Sequence, residues 1–167
     1  SESFQKRLNY EICFCKNHSH RCFLKCYGFI KSNEEIIGFV YEYMSNGSLD
    51  SYIFSFKEKV DATFVMMTIS RIVQSIDYLH TNNLIHRDLK PSNILLDHDF
   101  IPYISDFETI RKVEEIENSI FTEKMSYDFA SPLYSSPEQD EGLNVSYPTD
   151  IYSYGLVLYY IFKGEHP

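Results

Sequence analysis

The chain's 167 residues suit one compact domain or part of a larger one. At 44% hydrophobic and 16% aromatic it is globular rather than disordered, with material for a substantial core. With 24 acidic against 15 basic side chains the net charge is −9, which argues against a nucleic-acid or anionic-membrane partner, since either would call for a basic face. The longest apolar run, Tyr154–Phe162, is too short to span a bilayer, and no signal-peptide pattern opens the chain. A reducing, cytoplasmic or other intracellular setting is therefore expected.

In chain order, residues 4–16 read as a helix. All four cysteines lie in "CFCKNHSHRCFLKC", with His18 and His20 between them, which raises the question of zinc. The spacing argues against it: on a helix Cys13 and Cys15 stand about 200° apart, and C-x-C with H-x-H lacks the gaps of common zinc ligand pairs. Buried thiols in a reducing compartment are the simpler reading. Residues 20–30 and 35–44 read as two strands around a polar turn, Lys31–Glu35. Ser48 then stands where it would cap a short helix. Val65, Ile69, Ile72, Ile76 and Leu79 form the apolar stripe of a long amphipathic helix ending near Asn82-Asn83. Ile94–Leu96 and Pro102–Ser105 are apolar runs joined by the turn "DHDF". Residues 108–136 are polar and irregular and are expected to form a long mobile segment. A helix from Pro148-Thr149 through Lys163, stopped by Gly164, is apolar nearly all round and is expected in an interior.

Between the long helix and Ile94–Leu96 lies "HRDLKPSN", residues 86–93. It matches the catalytic-loop pattern H-R-D-L-x-x-x-N of protein kinases at every specified position. Further along, "SDFET" carries Asp106 and Phe107 of the D-F-G signature, and Ser136-Pro137-Glu138 resembles A-P-E with only the first residue changed. "TDIYSYG" resembles the start of the central helix of the large lobe. With four motifs in the family's order, the chain resembles the eukaryotic protein kinase domain.

That resemblance implies an α+β, protein-kinase-like fold, present in part. Residues 1–44 would be the small-lobe remainder and hinge, and residues 45–167 the first half of the large lobe. It implies a protein serine/threonine kinase core that moves the γ-phosphoryl group of Mg-ATP to protein hydroxyls, with ATP and Mg²⁺ as cofactors and a protein as substrate. Asp88 would orient the attacking hydroxyl and accept its proton, Lys90 would neutralise charge on the transferred group, and Asn93 and Asp106 would hold the metal ions. Asp150 would hydrogen-bond the backbone of the catalytic loop. Counting back from "HRCFL" places Glu11 at the helix-C glutamate, which in the family pairs with a strand lysine gripping the phosphates. "FVYEYM" looks like the hinge, with Tyr41 at the gatekeeper position and Glu42, Tyr43 and Met44 offering backbone groups to adenine. Tyr41 resembles the tyrosine-kinase-like group, and Lys90 in "DLKPSN" points to Ser/Thr acceptors. Arg87 would receive a phosphate on the activation segment, where Ser119, Thr122, Ser126 and Tyr127 are candidates, while Ser131 resembles the substrate-site threonine.

The chain departs from the pattern in two respects. It holds no G-x-G-x-x-G stretch, no V-A-I-K strand and none of the family's later helices, so Glu11 and Glu138 are expected to lack their usual partners. Glu108 stands where D-F-G has glycine, which should stiffen the turn and add negative charge near the metal site. These departures favour the alternative of a pseudokinase or interaction module that keeps the fold without turnover.

Overall fold

Capping side chains and apolar spacing set most of the element boundaries in the computed structural model, which describes residues 2–33, 35–56, 61–119, 133–143 and 145–167. Glu2–Asn17 form the first helix, α1. An antiparallel hairpin follows, β1 (Cys26–Ser32) with β2 (Glu35–Tyr41), in which Phe29 faces Phe39 and Cys26 faces Tyr41. Asn33 turns the chain at a φ of 48°, left-handed backbone that asparagine tolerates better than most residues. The first strand thus starts six residues later than the apolar pattern predicts. Residues 22–25 are held by other elements instead: Leu24 N–H donates to the Ile104 carbonyl at 2.8 Å, Ile104 N–H to Cys22 at 2.8 Å and Glu42 N–H to Lys25 at 2.9 Å. The second strand stops at Tyr41 rather than Met44, because Gly47 N–H donates to the Met44 carbonyl and bends the chain.

Ser48 accepts the Ser51 N–H on its Oγ at 3.2 Å and starts α2 (Leu49–Phe56), as its position predicts. Asp61 does the same for α3 (Ala62–Thr81), accepting the Phe64 N–H at 2.8 Å. On α3 the expected stripe is buried at Ile72, Ile76 and Leu79, but Val65 and Ile69 are only half-buried. Phe64 and Thr68 take the inward places, and the Phe64 ring packs 4.8 Å from Tyr52 of α2.

Two further short antiparallel pairings complete the frame. Leu84–Ile85 (β3) will pair with a later segment, while Ile94–Leu96 (β4) and Pro102–Ile104 (β5) form a hairpin with Ile94 opposite Ile104. Its turn is fixed by Asp97, whose Oδ1 accepts the Asp99 and Ile101 N–H groups at 2.9 Å each. The part of residues 108–136 expected to be irregular carries two elements among its described residues. Arg111–Lys112 (β6) pairs with β3, and Val113–Ser119 form a helix, α4. The reason is apolar spacing hidden within polar sequence: Ile116 and Val113 pack with Ile85, Val145 and Tyr147 in a small separate core. Thr122, Ser126, Tyr127 and Ser131 lie outside the described residues, as does the side chain of Ser119.

Pro137–Asp140 form α5 and Tyr147–Lys163 form α6, ended by Gly164 at a φ of 64° with its N–H on the Tyr160 carbonyl. The α6 helix buries Ser153, Val157, Tyr160 and Ile161 but leaves Ile151, Tyr152, Tyr159 and Phe162 exposed, so among the described residues it is covered on one face only. The α3 helix packs against β3, β5 and α6. Around it gather Ile72, Leu79, Leu89, Ile94, Leu96 and Val157, each at most 1% exposed. Burying each such side chain stabilises the fold by roughly 1.5–3 kcal/mol. This is an α+β, protein-kinase-like fold: a small strand lobe with α1, then a mainly helical lobe whose strand pairs sit on α3. No described helix is long and apolar enough to cross a membrane.

Candidate active site

The loop from β3 to β4 is shaped from beneath by one buried carboxylate. Asp150, in the first turn of α6 and 0% exposed, accepts the His86 N–H on Oδ2 and the Arg87 N–H on Oδ1, both at 2.9 Å. His80, near the end of α3, meets the same Oδ2 through Nε2 at 2.9 Å. These bonds hold Arg87 at a φ of 74°, left-handed backbone that an arginine adopts only when its surroundings over-determine it. The Arg87 carbonyl is bound from another side by Gln139 Nε2 of α5 at 2.8 Å.

His86 is 1% exposed and its tautomer follows from its partners. Asp88 N–H points at Nδ1 at 3.4 Å, so Nδ1 accepts, and Nε2 carries the proton that it donates to the Ser105 carbonyl at 3.3 Å. The imidazole thereby links the loop to the segment after β5. Ser105 adds two bonds of its own to the Asn93 carbonyl, from N–H at 2.9 Å and from Oγ at 3.0 Å. Thr109 Oγ1 closes the frame on the His86 carbonyl at 2.7 Å.

Within that frame the sequence-predicted residues Asp88, Lys90, Asn93 and Asp106 come together. Lys90 Nζ donates to Asp88 Oδ2 at 2.6 Å. Asn93 Nδ2 donates to the Asp88 carbonyl at 2.9 Å, to Asp88 Oδ2 at 3.0 Å and to Asp106 Oδ2 at 3.2 Å. Those bonds settle the amide's orientation, with Oδ1 as its acceptor end. Asp106 is at a φ of 62°, a second left-handed non-glycine in the site. Phe107 behind it is 1% exposed, its ring 4.6 Å from Phe14 of α1 and 5.7 Å from Phe23.

Glu11 reaches the edge of this group from α1. The Tyr41 hydroxyl donates to its carboxylate, and with that proton committed, the Cys15 thiol, 3.7 Å away, donates to the Tyr41 oxygen. Burial raises the pKa of Glu11; the hydrogen bond from Tyr41 opposes the rise, and repulsion from Asp106 and Glu108 adds to it. Burial likewise pushes the Cys15 thiol up to about 12, so it stays protonated and unreactive. Tyr41 therefore points its ring back to α1. Glu42, Tyr43 and Met44 lie in the segment after β2. There Glu42 N–H and the Met44 carbonyl are engaged by Lys25 and Gly47, and Tyr43 is 85% exposed.

Glu138 finds a partner within the described residues: Thr149 Oγ1 donates to it at 2.8 Å. Glu108 makes an ion pair with Arg7 at 3.4 Å, and it is absent from the residues with positive φ, so this conformation does not use the freedom a glycine would supply.

The arrangement suits hard-cation and anion chemistry. A fixed carboxylate, Asp88, carries a bound ammonium, and the Asn93 amide reaches a second carboxylate, Asp106, through Nδ2 at 3.2 Å. The oxygen donors of Asn93 and Asp106 fit Mg²⁺ by type. The repulsion that Glu11 feels from Asp106 and Glu108 marks a local excess of negative charge that a divalent cation would offset. Sequence reasoning missed His80, Ser105, Thr109, Gln139 and Arg7. Ser105 and Thr109 could have been noticed as neighbours of "DFE", but nothing in the sequence marks His80 or Arg7.

The family model for the protein kinase domain matches residues 1–167. A probable L-type lectin-domain containing receptor kinase of Arabidopsis thaliana is 32% identical over 165 residues, covering 94% of this chain and 24% of that protein. A cysteine-rich receptor-like protein kinase of the same plant is 34% identical over 168 residues, covering 96% and 25%. A G-type lectin S-receptor-like serine/threonine-protein kinase, also from A. thaliana, is 37% identical over 163 residues, covering 93% and 18%. The chain thus spans about a quarter or less of the length of these relatives.

Proposed function

This chain belongs to the protein kinase domain family, and on that premise we propose that it forms the catalytic part of a serine/threonine kinase that uses Mg-ATP. The observation that carries the proposal is the joint placement of Asp88, Lys90, Asn93 and Asp106 by one hydrogen-bonded frame. A resemblance in sequence alone would not require these side chains to meet.

In this reading Asp88 receives the acceptor hydroxyl of a protein substrate and takes its proton as the oxygen attacks. Lys90, held on Asp88, would offset charge on the moving phosphoryl group. Asn93 and Asp106 would hold Mg²⁺, which supplies charge neutralisation of the phosphates when bound. For adenine, the donor would be Met44 N–H and the acceptor the Glu42 carbonyl, since Glu42 N–H and the Met44 carbonyl are already engaged within the chain. Glu11, drawn to Tyr41, would turn to a cation brought against the phosphates.

The alternative, a kinase-like module without turnover, draws on Glu108, which stands where the D-F-G pattern has glycine and pairs with Arg7. One experiment separates the two. In the full-length protein, Asp88→Ala should leave Mg-ATP binding nearly unchanged while transfer of labelled phosphate to Ser/Thr peptides falls by about a hundredfold or more, a loss of roughly 2.7 kcal/mol in transition-state stabilisation. Nucleotide binding with no transfer by the unaltered protein would establish the non-catalytic reading instead.

A further inference from the structure

Four side chains of α1 at helical spacing meet the turn that carries Asp106. Arg7, Tyr10, Glu11 and Phe14 fall at i, i+3, i+4 and i+7, which is one face of a helix. Arg7 Nη1 lies 3.4 Å from Glu108 Oε1. The Tyr10 ring lies under the Arg111 guanidinium, 3.4 Å from its centroid, and Arg111 Nη1 donates to the carbonyls of Glu108 and Ile110 at 2.7 Å each. Glu11 feels the charges of Asp106 and Glu108. Phe14 packs on Phe107 at 4.6 Å. The Tyr10–Arg111 and Phe14–Phe107 contacts do not involve the side chain at position 108. The pair with Arg7 does, and it needs the carboxylate found where the D-F-G pattern has glycine.

We propose that Glu108 is a positioning residue: through Arg7 it ties α1 to the 106–111 turn and so holds Glu11 beside the metal-binding end of the site. The inference deepens the kinase reading and rests on it for its consequence, though not for its geometry. The charges make the device conditional. Glu108 attracts Arg7 but repels Glu11, so the tie holds α1 while Arg7 offsets that repulsion, with Arg111 beside the same charge. Arg7 and Glu108 expose 27% and 34% of their side chains, so solvent screens the pair and its effect is modest.

That sign pattern is the test. In the full-length protein without nucleotide, amide hydrogen exchange over residues 10–14 is measured for Arg7→Gln, Glu108→Gln and the double variant. Arg7→Gln removes the ion-pair partner of Glu108, leaving the Arg111 guanidinium to offset its charge, and should speed exchange by about two- to fivefold, the range of partly exposed ion pairs. Glu108→Gln removes attraction and repulsion together and should change it less. The double variant should return most of the way from the Arg7→Gln value, a rescue that the loss of a merely structural side chain would not show. In the transfer assay Arg7→Gln should raise the KM for Mg-ATP by a similar factor and leave the KM for the acceptor peptide unchanged.

Unchanged exchange in Arg7→Gln, or a double variant looser than either single one, overturns the proposal. So does an equal rise of both KM values. The exchange measurement requires no phosphoryl transfer, so a protein that transfers nothing would refute the kinase reading while leaving this tie to be decided by exchange.

Discussion

Replacing Asp150 by Asn should cost more stability than any change at the exposed surface, because its fully buried carboxylate accepts three N–H donors. Asp150 is 0% exposed; Oδ2 receives His86 N–H and His80 Nε2, and Oδ1 receives Arg87 N–H. Asparagine keeps one acceptor oxygen and puts an NH₂ in place of the other. In its better orientation the oxygen serves His86 and His80 while the NH₂ faces the Arg87 N–H, a buried donor against a donor. An orphaned buried donor costs about 1–3 kcal/mol, and losing the charge weakens the surviving bonds, each worth roughly 1.5–3 kcal/mol when charged. The sum, about 3–5 kcal/mol, matches what breaking a buried charged network costs. It is a large share of the ~5–15 kcal/mol that holds an ordinary domain together. Arg87 should fail first, since its left-handed backbone stores roughly 1–3 kcal/mol that these bonds restrain. The assay is urea unfolding of the full-length protein with Asp150→Asn and Asp150→Ala, alongside amide exchange at His86 and Arg87. A loss below about 1 kcal/mol, with both amides as protected as before, would refute the view that Asp150 shapes the catalytic loop.

Three further outcomes follow from the same structure. Glu11 has a raised folded-state pKa, from burial first and then from repulsion by Asp106 and Glu108, so its contribution to stability is fully present below its ordinary value of 4.5 and is lost as pH rises through the raised value. Glu11→Gln, which can still accept from Tyr41, should therefore raise the unfolding midpoint at pH 7 and lose that advantage in acid; paired thermal scans across pH check it. Glu138 runs the opposite way: burial alone would raise its pKa, but bonds from its own N–H, Thr149 and Ser136 outweigh this and depress it. Its contribution is present above 4.5 and is lost as pH falls through the depressed value, so the deficit of Glu138→Gln should shrink in acid. Phe107→Ala should destabilise by about 3–5 kcal/mol in denaturant titration, the range for deleting a buried ring, because Phe107 is 1% exposed between Phe14 and Phe23.

Local chemistry made part of this molecule legible before any tertiary structure. Ser48 stands directly before its helix and caps it, Gly164 ends α6 with the left-handed φ that glycine supplies most easily, and the turn 97–100 follows from Asp97 bonding its own neighbours. The residues of the loop from His86 to Asn93 were also legible, as types in a fixed order. A pattern of types, however, says nothing of what holds them. Ser105, Thr109 and Gln139 bind that loop from 12 to 52 residues away and His80 braces it through Asp150, bonds that leave no periodic trace; of the distant partners only Asp150, 64 residues from His86, was expected, from the resemblance. Position 108 shows the same division. The sequence declares a glutamate where backbone freedom is expected, but only packing shows that α1 carries Arg7 to meet it. Residues 20–25 look like strand by composition and are not, because backbone bonds to Ile104 and Glu42, set by the rest of the fold, occupy their N–H and C=O groups before a ladder can form. In each case the sequence alone settles what depends on groups within about one turn of each other, and the tertiary structure decides which distant donor meets which buried acceptor.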